Sequence, residues 1–239
     1  MQESKGSKML IFLDLQTTGL ESNDVICSIS LLSEDSLTYE LLNEAKKIPA
    51  LASSIHNITN EMIKGKSAFK QSEIYSILQK FNIKENTLVG HNINFDLEKL
   101  AALKIVWNGD IIDTMKVSKH LIEDCDLFSL NYLRYELHLY KQEEKLKIKY
   151  GIKDALVAHN AQSNVLITKL LFDFLNEIET VENMKELSNK KVLLQKLTFG
   201  KYQGRYIEEI VDLDRGYLQW MLSLSEIDED LKYSLEYYL

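Results

Sequence analysis

The sequence predicts an α/β domain with a mixed sheet, followed by a small C-terminal α+β appendage. Three observations carry that prediction. Residues 8 to 42 are dominated by apolar, β-branched runs split by a polar turn. From residue 59 to 178, short apolar runs alternate with amphipathic ones, as strands alternating with helices do. After residue 190 the charge balance changes abruptly.

"KMLIFLDL" and "DVICSISLL" read as strands separated by "QTTGLESN", and "SLTYELL" alternates weakly after them. "TNEMI" opens with Thr59 as an N-cap candidate, and "SEIYSILQKF" sets Ile74, Ile77, Leu78 and Phe81 on one helical face. "NTLVGHN" reads as a short buried strand and "FDLEKLAAL" as the helix leaving it. "GDIIDTMKVSKHLI" repeats that passage with Asp113 at the junction, and "SLNYLRYEL" (129–137) reads as another helix. In "AHNAQSNVLITKLLFDFLNEI", Val165, Phe172 and Leu175 form a stripe that Leu166, Leu170 and Phe174 widen, which predicts a helix buried over much of its surface.

The main domain is expected over residues 8–178, a polar connector over 179–191 and the small module over 192–239. In that module Gly200 and Gly204 bracket Lys201 and Tyr202 as a hairpin. Tyr217, Leu218, Trp220 and Met221 predict a helix packing back on it.

The chain has 239 residues, 45% hydrophobic and 27% charged, enough for a core without covalent staples. Cys27 and Cys125 lack the spacing of a zinc site and read as small buried hydrophobes in a reducing cytoplasm. No leader pattern and no apolar run near the roughly 18 residues of a membrane span is seen, so no membrane partner is expected. The net charge of −8 excludes coating of nucleic acid by bulk charge but leaves room for a local basic groove. Residues 190–206 offer one, with five basic residues and no acid, whereas 207–239 carry nine acids against two bases.

Three patches concentrate the chemistry. Asp14-Leu15-Gln16-Thr17-Thr18-Gly19 ends the first strand. "HNINFD" places His91, Asn92, Phe95 and Asp96 at a strand end and helix start. "HNAQSN" opens the long helix with His159 and, five residues on, Asn164. Each alone has a plain structural reading, such as a glycine turn, an Asn92 or Asp96 helix cap, or a satisfied histidine. Their order and spacing are less readily explained that way.

Together the patches resemble the DEDD superfamily of 3′–5′ exonucleases, which includes the proofreading subunit of bacterial replicases, in the branch with histidine in its third motif. The resemblance spans about residues 8–176: "FLDLQTTGL" for the first motif, "VGHNINFDLEKL" for the second, "HNAQSN" for the third, with "IHNIT" and "SLNYL" between. It implies a ribonuclease-H-like mixed sheet flanked by helices and four carboxylates holding two divalent cations, Mg²⁺ or Mn²⁺, roughly 4 Å apart. By the same resemblance Asp14 bridges both metals and Asp96 supports one through water. His159 is the base for the attacking water. Leu15, Thr17, Thr18 and Gly19, with His91, Asn92 and Phe95, are expected to lie along the 3′-terminal nucleotide. Single-stranded or mismatched 3′ ends are the implied substrate, DNA favoured over RNA, with a polymerase as a possible partner. The appendage resembles a module appended to bacterial exonuclease-like proteins, and Lys201, Tyr202 and Arg205 are its nucleic-acid-binding candidates.

Two departures stand out. Gln16 occupies a position where the family has glutamate, and Asn164 one where it has aspartate. Each keeps shape and removes a charge, so the fold tolerates both while the metal site, which also counts Gln16 and Asn164 among its ligands, loses affinity. Three readings stay open: a member that lost catalysis and kept end binding or polymerase docking, a deliberately silenced form, or weak residual activity with Mn²⁺.

Overall fold

The computed structural model describes residues 8–34 and 36–239. Strands β1 (Leu10–Thr17), β2 (Ile26–Leu32) and β3 (Leu37–Leu41) form an antiparallel meander, and β4 (Thr87–Gly90) and β5 (Asp110–Asp113) add in parallel, giving the order β3-β2-β1-β4-β5. The sheet is mixed, as expected, with β1 at its centre.

Period-two alternation in β1 decides where its side chains go. Ile11, Leu13 and Leu15 enter one core with Ile26, Ile29 and Leu31. Phe12 enters the other, where its ring meets Phe172 edge-on at 5.5 Å. Asp14 and Gln16 follow Phe12 on that second face, which is how a strand delivers polar groups beside a helix.

The helices begin with α1 (Ala50–His56) and α2 (Asn60–Ile63), the latter capped by Thr59 as predicted. α3 (Glu73–Phe81) is capped by Ser72, and its Ile74 and Leu78 bury against the first core. α4 (Asn94–Ala102) leaves β4, and α5 (Thr114–Leu121) leaves β5 with Asp113 as its cap, accepting N–H groups from Met115 and Lys116. α6 (Leu130–Glu136) and α7 (Glu143–Tyr150) lead to α8 (Ala161–Ile178), whose buried residues include Val165, Leu166, Ile167, Leu170, Leu171, Phe172 and Leu175. Full burial of one such side chain is worth about 1.5–3 kcal/mol, so α8 is the principal adhesive of this face.

The connector expected at 179–191 is largely helical. It forms α9 (Val181–Asn189), capped by Thr180, with Met184 fully buried and packed into the same core as α8. Ser188 Oγ also accepts the backbone N–H of Asp113 at 2.9 Å. Val181 and Leu187 pack against that core at three-residue spacing on either side of Met184, a short apolar stripe in an otherwise polar segment.

In the C-terminal module, α10 (Ile207–Leu222) and α11 (Glu229–Tyr238) enclose a small core of Leu197, Ile207, Ile210, Leu218, Met221, Leu231 and Leu235. The turn at 197–206 is closed by a Lys196–Tyr206 bridge, with Gly200 and Gly204 both at positive φ. α10 is broken at Asp214, whose φ of −155° and ψ of 65° are non-helical. The module is fixed to the main domain by Asp124, which accepts from the Tyr206 hydroxyl and pairs with Lys196 at 3.4 Å. Among the described residues no helix is long and apolar enough to cross a membrane.

Candidate active site

The three motifs converge at the carboxyl end of β1. Asp14, half-buried, projects from the α8 face of the sheet. Gln16, two residues along the same face, donates from Nε2 to Asp14 Oδ2 at 2.9 Å. Asn164, in the first turn of α8, donates from Nδ2 to Asp14 Oδ1 at 3.1 Å. Both carboxylate oxygens of Asp14 are therefore held by amide hydrogens, one from each of the positions where the sequence departs from the exonuclease pattern.

Asp96 comes from the first turn of α4. It does not cap its own helix, as one plain reading had it. Its Oδ1 accepts the backbone N–H of Leu15 at 3.2 Å, joining the second motif directly to the strand of the first. The side chain is 6% exposed. Burial, then the neighbouring charge of Asp14, push the Asp96 carboxyl well above the usual carboxylate range, against the Leu15 N–H. Burial likewise raises Asp14 to about 7, with the Gln16 and Asn164 hydrogen bonds opposing. Two acids this close in a dry setting cannot both ionise cheaply.

His159 sits exposed in the turn before α8, in the left-handed region at φ 57°, one residue ahead of the Asn160 cap. His56 of "IHNIT" is buried near it. Burial holds His56 below its ordinary value, opposed by the Thr17 backbone and reinforced by the His159 charge. The segment linking the first two motifs thus lies beside the first and third.

The loop after β1 is a braced turn. Thr17 Oγ1 donates to the Gly19 carbonyl at 2.6 Å, and Thr18 Oγ1 donates to Asp24 Oδ1 at 2.7 Å. Asp24 also receives the Glu21 N–H and the Lys46 ammonium, at 3.0 and 2.7 Å. A Cβ built on Gly19 would stand 2.4 Å from Asp24 Oδ2, so glycine is what lets the turn close. Lys99 of α4, 5% exposed, reaches the carbonyl of Glu21 and lies 5.2 Å over the Phe95 ring. Asp24, Lys46 and Lys99 were invisible to sequence reading, since their partners lie far off in the chain.

Of the other expected substrate-side residues, Asn92 is exposed at φ 59°, and its N–H is held by Asp113 at 2.9 Å. Phe95 is half-buried against the first core. His91 turns inward, with Nδ1 3.0 Å from Thr114 Oγ1 and Nε2 2.8 Å from the Phe128 carbonyl, so both ring nitrogens brace the scaffold. In the module, Lys201 Nζ and the Tyr202 hydroxyl share Asp214 Oδ2 at 2.8 and 2.9 Å, while Arg205 is exposed.

The donor set does not fit a two-cation centre. Among the described residues no group of three or more His, Cys, Asp or Glu side chains could hold a metal ion. Asp14 and Asp96 are the carboxyls that the motifs supply, and the two amides turn hydrogens, not oxygens, toward Asp14. Asp154 and Glu98 are exposed and supply no substitute.

Comparison with known proteins places the chain among exonucleases. Residues 11–161 match the family described as Exonuclease, and residues 197–223 match the Exodeoxyribonuclease X-like C-terminal family. Exodeoxyribonuclease 10 of Escherichia coli strain K12 is 28% identical over 238 residues, covering 97% of this chain and 99% of that protein. Exonuclease X in complex with 5′ overhanging duplex DNA has a similar fold, with a TM-score of 0.60 and 23% identity over 75% of this chain and 99% of that one. A zinc-bound E. coli exonuclease I complex with single-stranded DNA is similar at a TM-score of 0.53 and 15% identity, over 75% of this chain and 42% of that one. With its first motif on β1, its second on α4 and its third opening α8, the chain belongs to the exonuclease family of the DEDD superfamily.

Proposed function

We propose that this chain is an exonuclease-family protein directed at 3′ ends of single-stranded or mismatched DNA, with hydrolysis impaired at its metal site. The observation that carries this reading is the pair of amide donors closed on Asp14, at 2.9 and 3.1 Å. A carboxylate whose two oxygens accept from neutral N–H groups is satisfied without a cation. The divalent metals that exonucleases of this kind use would have to displace those donors and replace two missing charges. DNA is favoured over RNA because the full-length relative is named as an exodeoxyribonuclease.

What the chain's own residues do is position. The braced turn at Thr17 to Asp24 and the fixed Asn92 backbone present rigid edges beside Asp14, suited to holding a terminal nucleotide. His159, exposed in the turn before α8, is the residue we assign as base for an attacking water. The same geometry favours end binding without cutting as the state of this chain as written.

The test is degradation of a 5′-labelled single-stranded oligonucleotide with Mg²⁺ and with Mn²⁺, comparing this chain with its Gln16→Glu, Asn164→Asp double variant. The double variant is expected to shorten the substrate stepwise from the 3′ end, roughly a thousandfold faster, as about 4 kcal/mol of transition-state stabilisation would give. Equal cutting by both would overturn the account of the amides. Binding of 3′ ends by both without cutting would leave a reader of ends.

A further inference from the structure

The segment from Tyr135 to Lys149 plays no part in the site described above, yet its surface is unusual for an acidic protein. Tyr135 and Tyr140 are 54% and 41% exposed, their ring centroids 5.6 Å apart. The His138 ring stacks on Tyr140 at 5.9 Å with an interplanar angle of 26°. Three rings thus stand together in solvent, where burial does not explain them.

Immediately after them, α7 turns Glu143, Leu146 and Tyr150 inward. Its outer side carries Lys145 and Lys149, roughly 6 Å apart along the helix, and Lys141 stands in the 3-10 turn just before it. Lys147 pairs with Glu144 at 3.1 Å and Glu143 is consumed by Arg134, but Lys141, Lys145 and Lys149 pair with no carboxylate among the described residues. Ile148, 74% exposed, shares that outer side.

This ledge is rigidly tied to the third motif. Arg134, 7% exposed, grips both oxygens of Glu143 and donates to the Leu156 carbonyl at 3.1 Å. Leu156 lies three residues before His159 on the same loop.

We propose that the ledge is a second nucleic-acid contact, which holds the phosphates and bases of a single strand whose 3′ end occupies the site. It rests on the reading that the site receives 3′ ends. Charge decides the occupant: an unpaired lysine row beside solvent-exposed rings, on a chain of net charge −8, complements a polyanion with stackable faces.

The experiment measures binding of 5′-fluorescein oligothymidylates of roughly 15 and roughly 4 nucleotides by anisotropy across a salt series, in chelator so that nothing is cut. The variants are K141Q/K145Q/K149Q, which keeps helix-forming side chains, and Tyr140→Ala, each checked by circular dichroism. The lysine variant should flatten the salt slope for the long strand by about 2, since each phosphate contact contributes about 0.7. Tyr140→Ala should weaken the long strand roughly tenfold. The short strand, confined to the 3′ site, should bind all three proteins alike. An unchanged slope with the long strand overturns the ledge and leaves the 3′ site standing. Loss of the slope together with no short-strand binding by any protein supports the ledge and removes the 3′-site reading. Failure of this chain to bind either strand overturns both.

Discussion

The double variant Gln16→Glu, Asn164→Asp makes a thermodynamic prediction separate from its activity. It replaces two N–H donors by carboxylate oxygens at contacts now 2.9 and 3.1 Å from Asp14. Two unit charges about 3 Å apart repel by roughly 5 kcal/mol at an effective dielectric near 20. Relaxation and proton uptake relieve most of that. Two charge-assisted hydrogen bonds, about 1.5–3 kcal/mol each, are lost as well. A net destabilisation of about 3 kcal/mol is expected in chelator at pH 7, lowering Tm by roughly 6–12 °C for a chain of this size. A divalent cation at about 100 times its Kd restores about 2.7 kcal/mol. Differential scanning fluorimetry with EDTA, Mg²⁺ and Mn²⁺ reads both effects. The parent chain should shift by less than about 2 °C on the same additions, below the roughly 2–4 °C that 1 kcal/mol produces. A parent shift as large as the variant's, or a variant as stable as the parent in EDTA, would refute the reasoning.

Three further predictions follow from neighbouring geometry. Burial pushes the His91 ring down to about 4, opposed by Asp113 and the Phe128 carbonyl, so the folded state resists charging it. Its contribution is fully present above the ordinary value near 6.5 and is lost as pH falls from there toward 4, by at most about 3 kcal/mol; urea titrations should show this loss, and His91→Gln should flatten it. Arg134→Ala leaves Glu143 buried without its partner and frees the Leu156 carbonyl, which should cost about 3–5 kcal/mol in chemical denaturation; a loss under 1 kcal/mol would mean the pair is well hydrated. Asp214 accepts from Lys201, Tyr202 and the Tyr217 N–H, so Asp214→Ala should raise amide exchange across residues 197–222 while leaving α8 protected.

Strong local signals made β1, β2, β4, β5 and α8 legible: apolar runs of strand length, an aspartate cap at Asp113, and an apolar face too wide for a surface helix. Less was visible where structure depends on a single distant partner. In α7, Leu146, Ile148 and Tyr150 recur every second residue, a strand-like period, yet the segment is a helix whose first residue, Glu143, is held inward by Arg134. α9 is docked by Val181, Met184 and Leu187, a three-residue spacing that the polar composition of the segment masked, and by Ser188 reaching β5, which spacing does not reveal. At the site, the positions of Asp14, Gln16, Asp96, His159 and Asn164 were legible from motif spacing. The direction of the two amide groups was not: Gln16 turns to Asp14 two residues back, and Asn164 reaches it across 150 residues of chain. His91 read as a substrate-side residue, yet its ring found Thr114 and Phe128 first.

The bond from the Leu15 N–H to Asp96 has an evolutionary consequence. Folding and turnover select on different members of the same constellation. Positions 16 and 164 contribute only side chains to the face of Asp14, so exchanging acid for amide there strands no backbone group. Losing the carboxyl at Asp96 would orphan a buried donor in the central strand, at about 1–3 kcal/mol, whether or not the protein ever cuts. A lineage released from catalysis would therefore shed its outer acids first and keep Asp96 longest. Survival of that aspartate then records the architecture of the sheet, and the outer pair records the history of the chemistry.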